Sequence, residues 1–197
     1  MKKLILASAS PRRKEILSEI GASFEILVSD TDEACDLTDP ADYVRELARR
    51  KGQAVAQALL EQGTDLTDTA ILSADTVVVC DGTILGKPQD KADAIRMLTM
   101  LSGREHQVLT GIGVTLGNVT YTEAEATRVR VAKIPPEAIE TYVNSGDPMD
   151  KAGSYGIQGS FSKWIDGIDG CYFNVVGLPA HRLNMLYHRC TGEYLGT

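Results

Sequence analysis

The chain has 197 residues, 43% of them hydrophobic and 24% charged, with a net charge of −7. That length supports one domain over residues 1–197, or one domain in two lobes, and is enough to bury most of its apolar surface. An acidic chain makes a poor general binder of nucleic acid, which rests on phosphate neutralisation, so an anionic ligand has to be met by a local cluster of cations. The apolar run Leu4 to Ala7 is four residues, short of the roughly 7–15 of a secretion signal, and no run approaches the roughly 18 of a membrane span. Cys35, Cys80, Cys171 and Cys190 form no C-x-x-C pair and read as free thiols of a cytoplasmic protein. No nucleic-acid or membrane partner is expected.

Lys3 to Ala7 reads as a short buried strand. Ser10 then fits an N-cap, Pro11 the first helical position and Gly21 the C-terminal stop, with Ile16, Leu17 and Ile20 as the apolar stripe. Phe24 to Val28 reads as a second strand, followed by the acidic loop SDTDEACDLTDP and a long helix from about Ala41 to Glu61. AILSADTVVVC is a buried strand, and Asp81-Gly82 is a hairpin turn signal before TILGKP. A helix is expected over Asp90 to Leu101, then two strands between His106 and Val131 around Gly117-Asn118, then a helix from Pro135 to Asn144 ended by Gly146. A glycine-rich loop, DKAGSYGIQGS, leads to an expected strand pair through KWIDGIDGCYFNVVG and a last helix from Pro179. Interleaved strands and helices with some hairpins predict an α/β fold on a mixed sheet.

Four places break their local pattern. The first is Ser8, Ser10, Arg12 and Arg13, where two arginines occupy the first turn of a helix. That end already carries unpaired N–H groups and partial positive charge, so a bound phosphate would reconcile them; solvated arginines beside a capped helix are the alternative. The second is Lys51, four residues from both Leu47 and Val55 on an apolar stripe. Either its stem snorkels past the edge, which the local pattern favours, or its ammonium meets an anion. The third is Asp75 inside ILSADTVVV, where a carboxylate needs a partner, a metal or a catalytic task. A turn-capping role is the alternative, and the continuing Val77 to Val79 weigh against it. Lys87, placed on the return strand of the same hairpin, could reach the same pocket. The fourth is DKAGSYGIQG, whose glycines at 153, 156 and 159 allow close backbone approach to a flat ligand. Gln158 there could offer a donor and an acceptor to a base edge, although a plain flexible loop fits the local pattern equally well.

No Walker A sequence, H-E-x-x-H or G-x-S-x-G is present. His106, His181 and His188 sit in no motif and read as structural or surface residues. Phosphate binding by cations, with carboxylates for a metal, is the consistent theme.

LILASASPRRKEIL, SADTVV, GKP, DKAGSYGIQG and NVVGLP occur in the order and rough spacing of the Maf family of nucleotide pyrophosphatases, which this chain resembles over nearly its whole length. The resemblance implies an elongated mixed sheet flanked by helices, like the inosine-triphosphate pyrophosphatases, with two lobes about a central cleft and often a homodimer. It implies cleavage of a nucleoside triphosphate to monophosphate and pyrophosphate with a divalent cation, Mg²⁺ or Mn²⁺. Arg12, Thr76 and Gln158 are similar to the branch acting on dTTP and UTP; in the branch acting on 7-methyl-GTP a tryptophan stands in place of Arg12. On this reading Asp75 is the general base and, with Glu33, a metal ligand. Ser8, Ser10, Arg13, Lys51 and Lys87 hold phosphates, and Arg12, Thr76 and Gln158 select the base. The family's association with septum formation leaves a rival, a nucleotide-binding inhibitor of division without turnover.

Overall fold

The computed structural model describes residues 2–28 and 30–197; Ser29, the first residue of the acidic segment, lies outside them. In chain order the elements are β1 (Lys3–Leu6), α1 (Pro11–Glu19), β2 (Phe24–Ile26), α2 (Pro40–Glu61), β3 (Thr69–Cys80), β4 (Thr83–Leu85), α3 (Lys91–Leu101), β5 (Glu105–Leu116), β6 (Val119–Val131), α4 (Pro136–Asn144), β7 (Ile165–Asp169), α5 (Tyr172–Val176) and α6 (Ala180–Thr191). The sheet runs β2-β1-β3-β5-β6-β7, with β4 added to β3. β1 pairs in parallel with both β2 and β3, whereas β3–β4 and β6–β7 are antiparallel. The expected mixed α/β sheet is therefore present.

The chain divides into two compact units, Met1–Asp75 with Thr110–Glu125 and Gly177–Thr197, and Thr76–Leu109 with Ala126–Val176. In the first, Leu4, Ile5 and Leu6 of β1 lie opposite Ala70, Ile71 and Leu72 of β3, and all six are buried. Asp39 caps α2 by accepting the Asp42 N–H at 2.9 Å, and Pro40 takes the first helical position. The helix buries Val44, Leu47, Ala48, Gly52, Val55 and Ala56. It lies unusually close to the sheet because glycines stand at the contact. A Cβ on Gly52 would strike the Thr115 hydroxyl, and one on Gly111 would strike the Val44 carbonyl. The Ser73 hydroxyl, on β3, donates to the Ala48 carbonyl at 2.7 Å and pins the two elements together.

In the second unit Asp81 and Gly82 have φ of 48° and 74°, the pair of left-handed residues of a type I′ hairpin. α3, capped by Asp90, packs Ala94, Met97, Leu98 and Leu101 into a core with Val129, Val131, Ile139, Val143, Tyr155 and Phe161. The expected strand pair near the end is not formed. A 3₁₀ turn over Gly159–Trp164 precedes the single strand β7, and the short helix α5 follows it. Gly170, with φ of 128°, breaks the extended run, and Asn174 is then drawn inward to donate to the Val108 carbonyl at 2.9 Å and the Thr127 hydroxyl at 3.0 Å. Within the same core, His106 Nε2 and the Tyr155 hydroxyl are hydrogen-bonded at 2.7 Å.

Gly111→Ala should destabilise the protein by about 1–3 kcal/mol, because the clash is with backbone and the helix has to move. Urea unfolding of the two proteins measures it. Burial holds the His106 imidazole well below its ordinary range, at about 4. Between about pH 6.5 and 4 the unfolded chain therefore takes up a proton that the folded chain refuses, so stability falls as pH falls through that window, by up to about 3 kcal/mol. Urea midpoints at pH 6.5 and 4.5 should show this loss in the wild type, and a smaller one in His106→Gln.

Candidate active site

β3 places the site. Its side chains alternate between the two faces, so Asp75 shares the face of Ser73, the residue pinned to α2. Lys51 precedes Gly52, the point of closest approach, and so stands at the margin of that contact. The Lys51 ammonium meets Asp75 Oδ1 at 2.6 Å and Glu33 Oε1 at 2.8 Å. Lys51 and Asp75 side chains are 19% and 13% exposed, whereas Glu33 is 61% exposed. Of the two courses open to a lysine on an apolar stripe, the structure takes the second: the ammonium is paired with carboxylates rather than snorkelled into solvent.

Arg13 enters the same unit from α1. Its Nε donates to the Gly177 carbonyl at 2.9 Å, and its Nη1 donates to the Ser8 hydroxyl at 3.1 Å and the Ala74 carbonyl at 2.9 Å. The guanidinium thus joins the end of β1, the peptide just before Asp75 and the segment before α6. Burial lowers its pKa, the Asp75 charge opposes that shift, and the neighbouring Arg12 charge adds to it. Ser10 is the N-cap of α1 and makes no side-chain cap bond; its own N–H reaches the Ser8 hydroxyl at 3.3 Å. The first turn contains no acidic residue. Ser8, Arg13, Lys51, Asp75 and Glu33 are therefore brought together within the first unit, with Ser10 and Arg12 at the adjoining helix start.

The other expected site residues belong to the second unit. Thr76 follows Asp75 along β3 and is half-buried. Lys87 is exposed and lies beyond the end of β4 rather than on it, because the strand stops at Leu85. Gln158 is exposed at the start of the 3₁₀ turn. The glycine-rich segment is tied to the Lys87 region by the Gly153 N–H, which donates to the Gly86 carbonyl at 2.9 Å.

Two contributors escape the sequence reading. Arg50 accompanies Lys51 on α2 and donates from Nη1 to the Ala34 carbonyl at 2.6 Å and the Asp32 carbonyl at 3.3 Å, which holds the loop carrying Glu33. Glu46 orients that arginine at 2.8 Å, and its carboxyl is held down to about 2, first by its hydrogen bond with Arg49 and also by that with Arg50. Tyr43 is also in this field: burial raises its phenol pKa, and Asp75, Cys35 and Glu33 raise it further while Lys51 opposes them. The signal was available, since Tyr43, Leu47 and Lys51 recur at four-residue spacing.

The donor set suits a hard divalent cation in part: two carboxylates converge on one positive charge. Among the described residues no group of three or more His, Cys, Asp or Glu side chains gathers as a metal cluster. No helix of the described chain is long and apolar enough to cross a membrane.

The Maf-like protein model matches residues 3–190. The chain belongs to the Maf family. This Maf-family chain is 47% identical to a dTTP/UTP pyrophosphatase of Koribacter versatilis over 187 residues, covering 94% of the chain and 93% of the relative. It is 48% identical to proteins of the same name from Symbiobacterium thermophilum, covering 92% and 91% of the two chains, and from Agathobacter rectalis, covering 93% and 95%. A solved HAM1 protein from Coxiella burnetii superposes with a TM-score of 0.55 at 14% identity, covering 98% of this chain and all of that one, which shows a shared fold.

In this Maf chain the Lys51–Asp75 contact should behave as a coupled pair. Lys51→Met and Asp75→Asn should each alter stability, and the double variant should depart from their sum by about 0.5–3 kcal/mol. A double-mutant cycle by urea denaturation measures the coupling, and simple additivity would exclude it.

Proposed function

We propose that the chain is a nucleoside triphosphate pyrophosphatase that hydrolyses dTTP and UTP, and related modified pyrimidine nucleotides, to the monophosphate and pyrophosphate. The observation that carries this reading is the buried Asp75 carboxylate held against the Lys51 ammonium, with Glu33 on the same charge and Arg13 behind the adjoining peptide. Relatives that share 47–48% of aligned residues bear the name of that activity. The two units interleave along the chain, and we assign them one catalytic domain over 1–197.

Asp75 takes the proton of a water whose oxygen attacks the α-phosphorus. The bond from that phosphorus to the α,β-bridging oxygen breaks, and pyrophosphate leaves with the bonding pair. Before substrate binds, Lys51 is paired with carboxylates; a triphosphate gives the ammonium a stronger anionic partner and frees Asp75 to act as a base. Arg13, Lys51 and Lys87, with Ser8 and the open helix start at Ser10, neutralise the phosphate charge that builds on the leaving group. Glu33 and Asp75 would hold Mg²⁺ or Mn²⁺, and the ion would supply charge neutralisation at the phosphates. Arg12, Thr76 and Gln158 select the base, with the Gln158 amide matched to the acceptor and donor on a pyrimidine edge.

Pyrophosphate release from dTTP, UTP, CTP and GTP, with Mg²⁺ or Mn²⁺ and with EDTA, tests the assignment. Release should favour dTTP and UTP, cease with EDTA, and fall by at least about 100-fold in Asp75→Asn. Binding of these nucleotides without release from any of them would move the protein to the rival class, a nucleotide-binding regulator of septum formation.

A further inference from the structure

The segment that carries Gln158 is anchored residue by residue inside the second unit. Gly153 and Ser154 have φ of 65° and 63°, left-handed values that are uncommon for a serine. A Cβ on Gly153 would stand 2.7 Å from Val78 Cγ2, so only glycine allows this close approach to β3. The Ser154 hydroxyl, fully buried, donates to Met97 Sδ at 3.2 Å. Tyr155 is 5% exposed, with its ring 4.9 Å from that of Phe161 and edge-on to His106 at 5.3 Å. Ile157 is buried next. Gln158, one residue on, is exposed.

One part of this anchor is poorly explained by stability alone. His106 is 3% exposed on β5, its Nε2 bonds the Tyr155 hydroxyl at 2.7 Å, and its Nδ1 has no partner among the described residues. Burying two polar groups for one mutual bond, with an unsatisfied nitrogen left over, is inferior to an apolar pair of the same volume. What the bond adds is direction: it fixes the rotation of the Tyr155 ring against a sheet strand, three residues before Gln158. Burial keeps the imidazole neutral at physiological pH, so that geometry persists there.

We propose that His106 and Tyr155 are positioning residues for base selection, whose hydrogen bond holds the Gln158 segment in the orientation that favours pyrimidine over purine nucleotides. The inference rests on the nucleotide reading above and adds two residues that act through Gln158 rather than on the substrate.

The test compares kcat and KM for dTTP and GTP in the wild type, Tyr155→Phe, His106→Leu, His106→Gln and Gln158→Ala, well below each protein's Tm. Tyr155→Phe and His106→Leu should lower kcat/KM for dTTP by about tenfold, through KM, with GTP changed less than about twofold. Gln158→Ala should narrow the dTTP-to-GTP ratio in the same way, and His106→Gln, which keeps a partner for the Tyr155 hydroxyl, should restore most of it. If Tyr155→Phe does not fold, the two His106 variants decide the matter. An unchanged ratio in His106→Leu, whatever its Tm, would overturn the inference and leave a purely structural pair. Should the wild type release no pyrophosphate, the enzymatic reading fails separately; the ratio is then read from dissociation constants of dTTP and GTP, where a loss of preference in the variants supports the positioning role and an unchanged or absent preference overturns it.

Discussion

A carboxylate in the middle of a central sheet strand has to be answered by a cation, and the first unit is arranged around that requirement. Asp75 sits in a strand whose other residues are almost all buried. Its cation comes from a helix that glycines let down onto the sheet, so the spacing of Gly52 and Gly111 determines whether Lys51 reaches it. Arg13 then ties the peptide before Asp75 to Ser8, just beyond β1, and to Gly177 at the start of the last segment. Helix, strand and loop are thus held at one charged point, and their packing and their chemistry are the same set of contacts.

Much of this was legible in the amino-acid order because the signals were local. The long helix expected from about Ala41 to Glu61 is α2, Pro40–Glu61, and the Asp81-Gly82 turn is where the sequence places it. Asp75 and Lys51 stood out as charges on apolar patterns, and each proved to be the other's partner. What stayed hidden depended on partners far along the chain. The acceptors of Arg13 include two backbone carbonyls 61 and 164 residues away, which no local pattern announces. The run after Lys163 has the composition of strands, yet Asn174 is pulled into the core by Val108 and Thr127 and winds a short helix there. The histidines, read as structural or surface residues, include one, His106, whose buried ring nitrogen is hydrogen-bonded to the Tyr155 hydroxyl 49 residues away.

The residues of the proposed task fall in both units. Ser8, Ser10, Arg12, Arg13, Glu33, Lys51 and Asp75 belong to the first; Thr76, Lys87 and Gln158 belong to the second. The division falls between Asp75 and Thr76, so two adjacent residues of one strand are assigned to catalysis and to selection.

Gly177 has a temporal consequence. The first unit is assembled from segments at the beginning, the middle and the end of the chain, and the Arg13 Nε acceptor is made 164 residues after the arginine itself. During synthesis the N-terminal segment leaves the ribosome long before the oxygen that completes its guanidinium network. The Arg13 network therefore closes only after the second unit's segments have been translated, and a nascent chain interrupted before that point lacks this guanidinium contact.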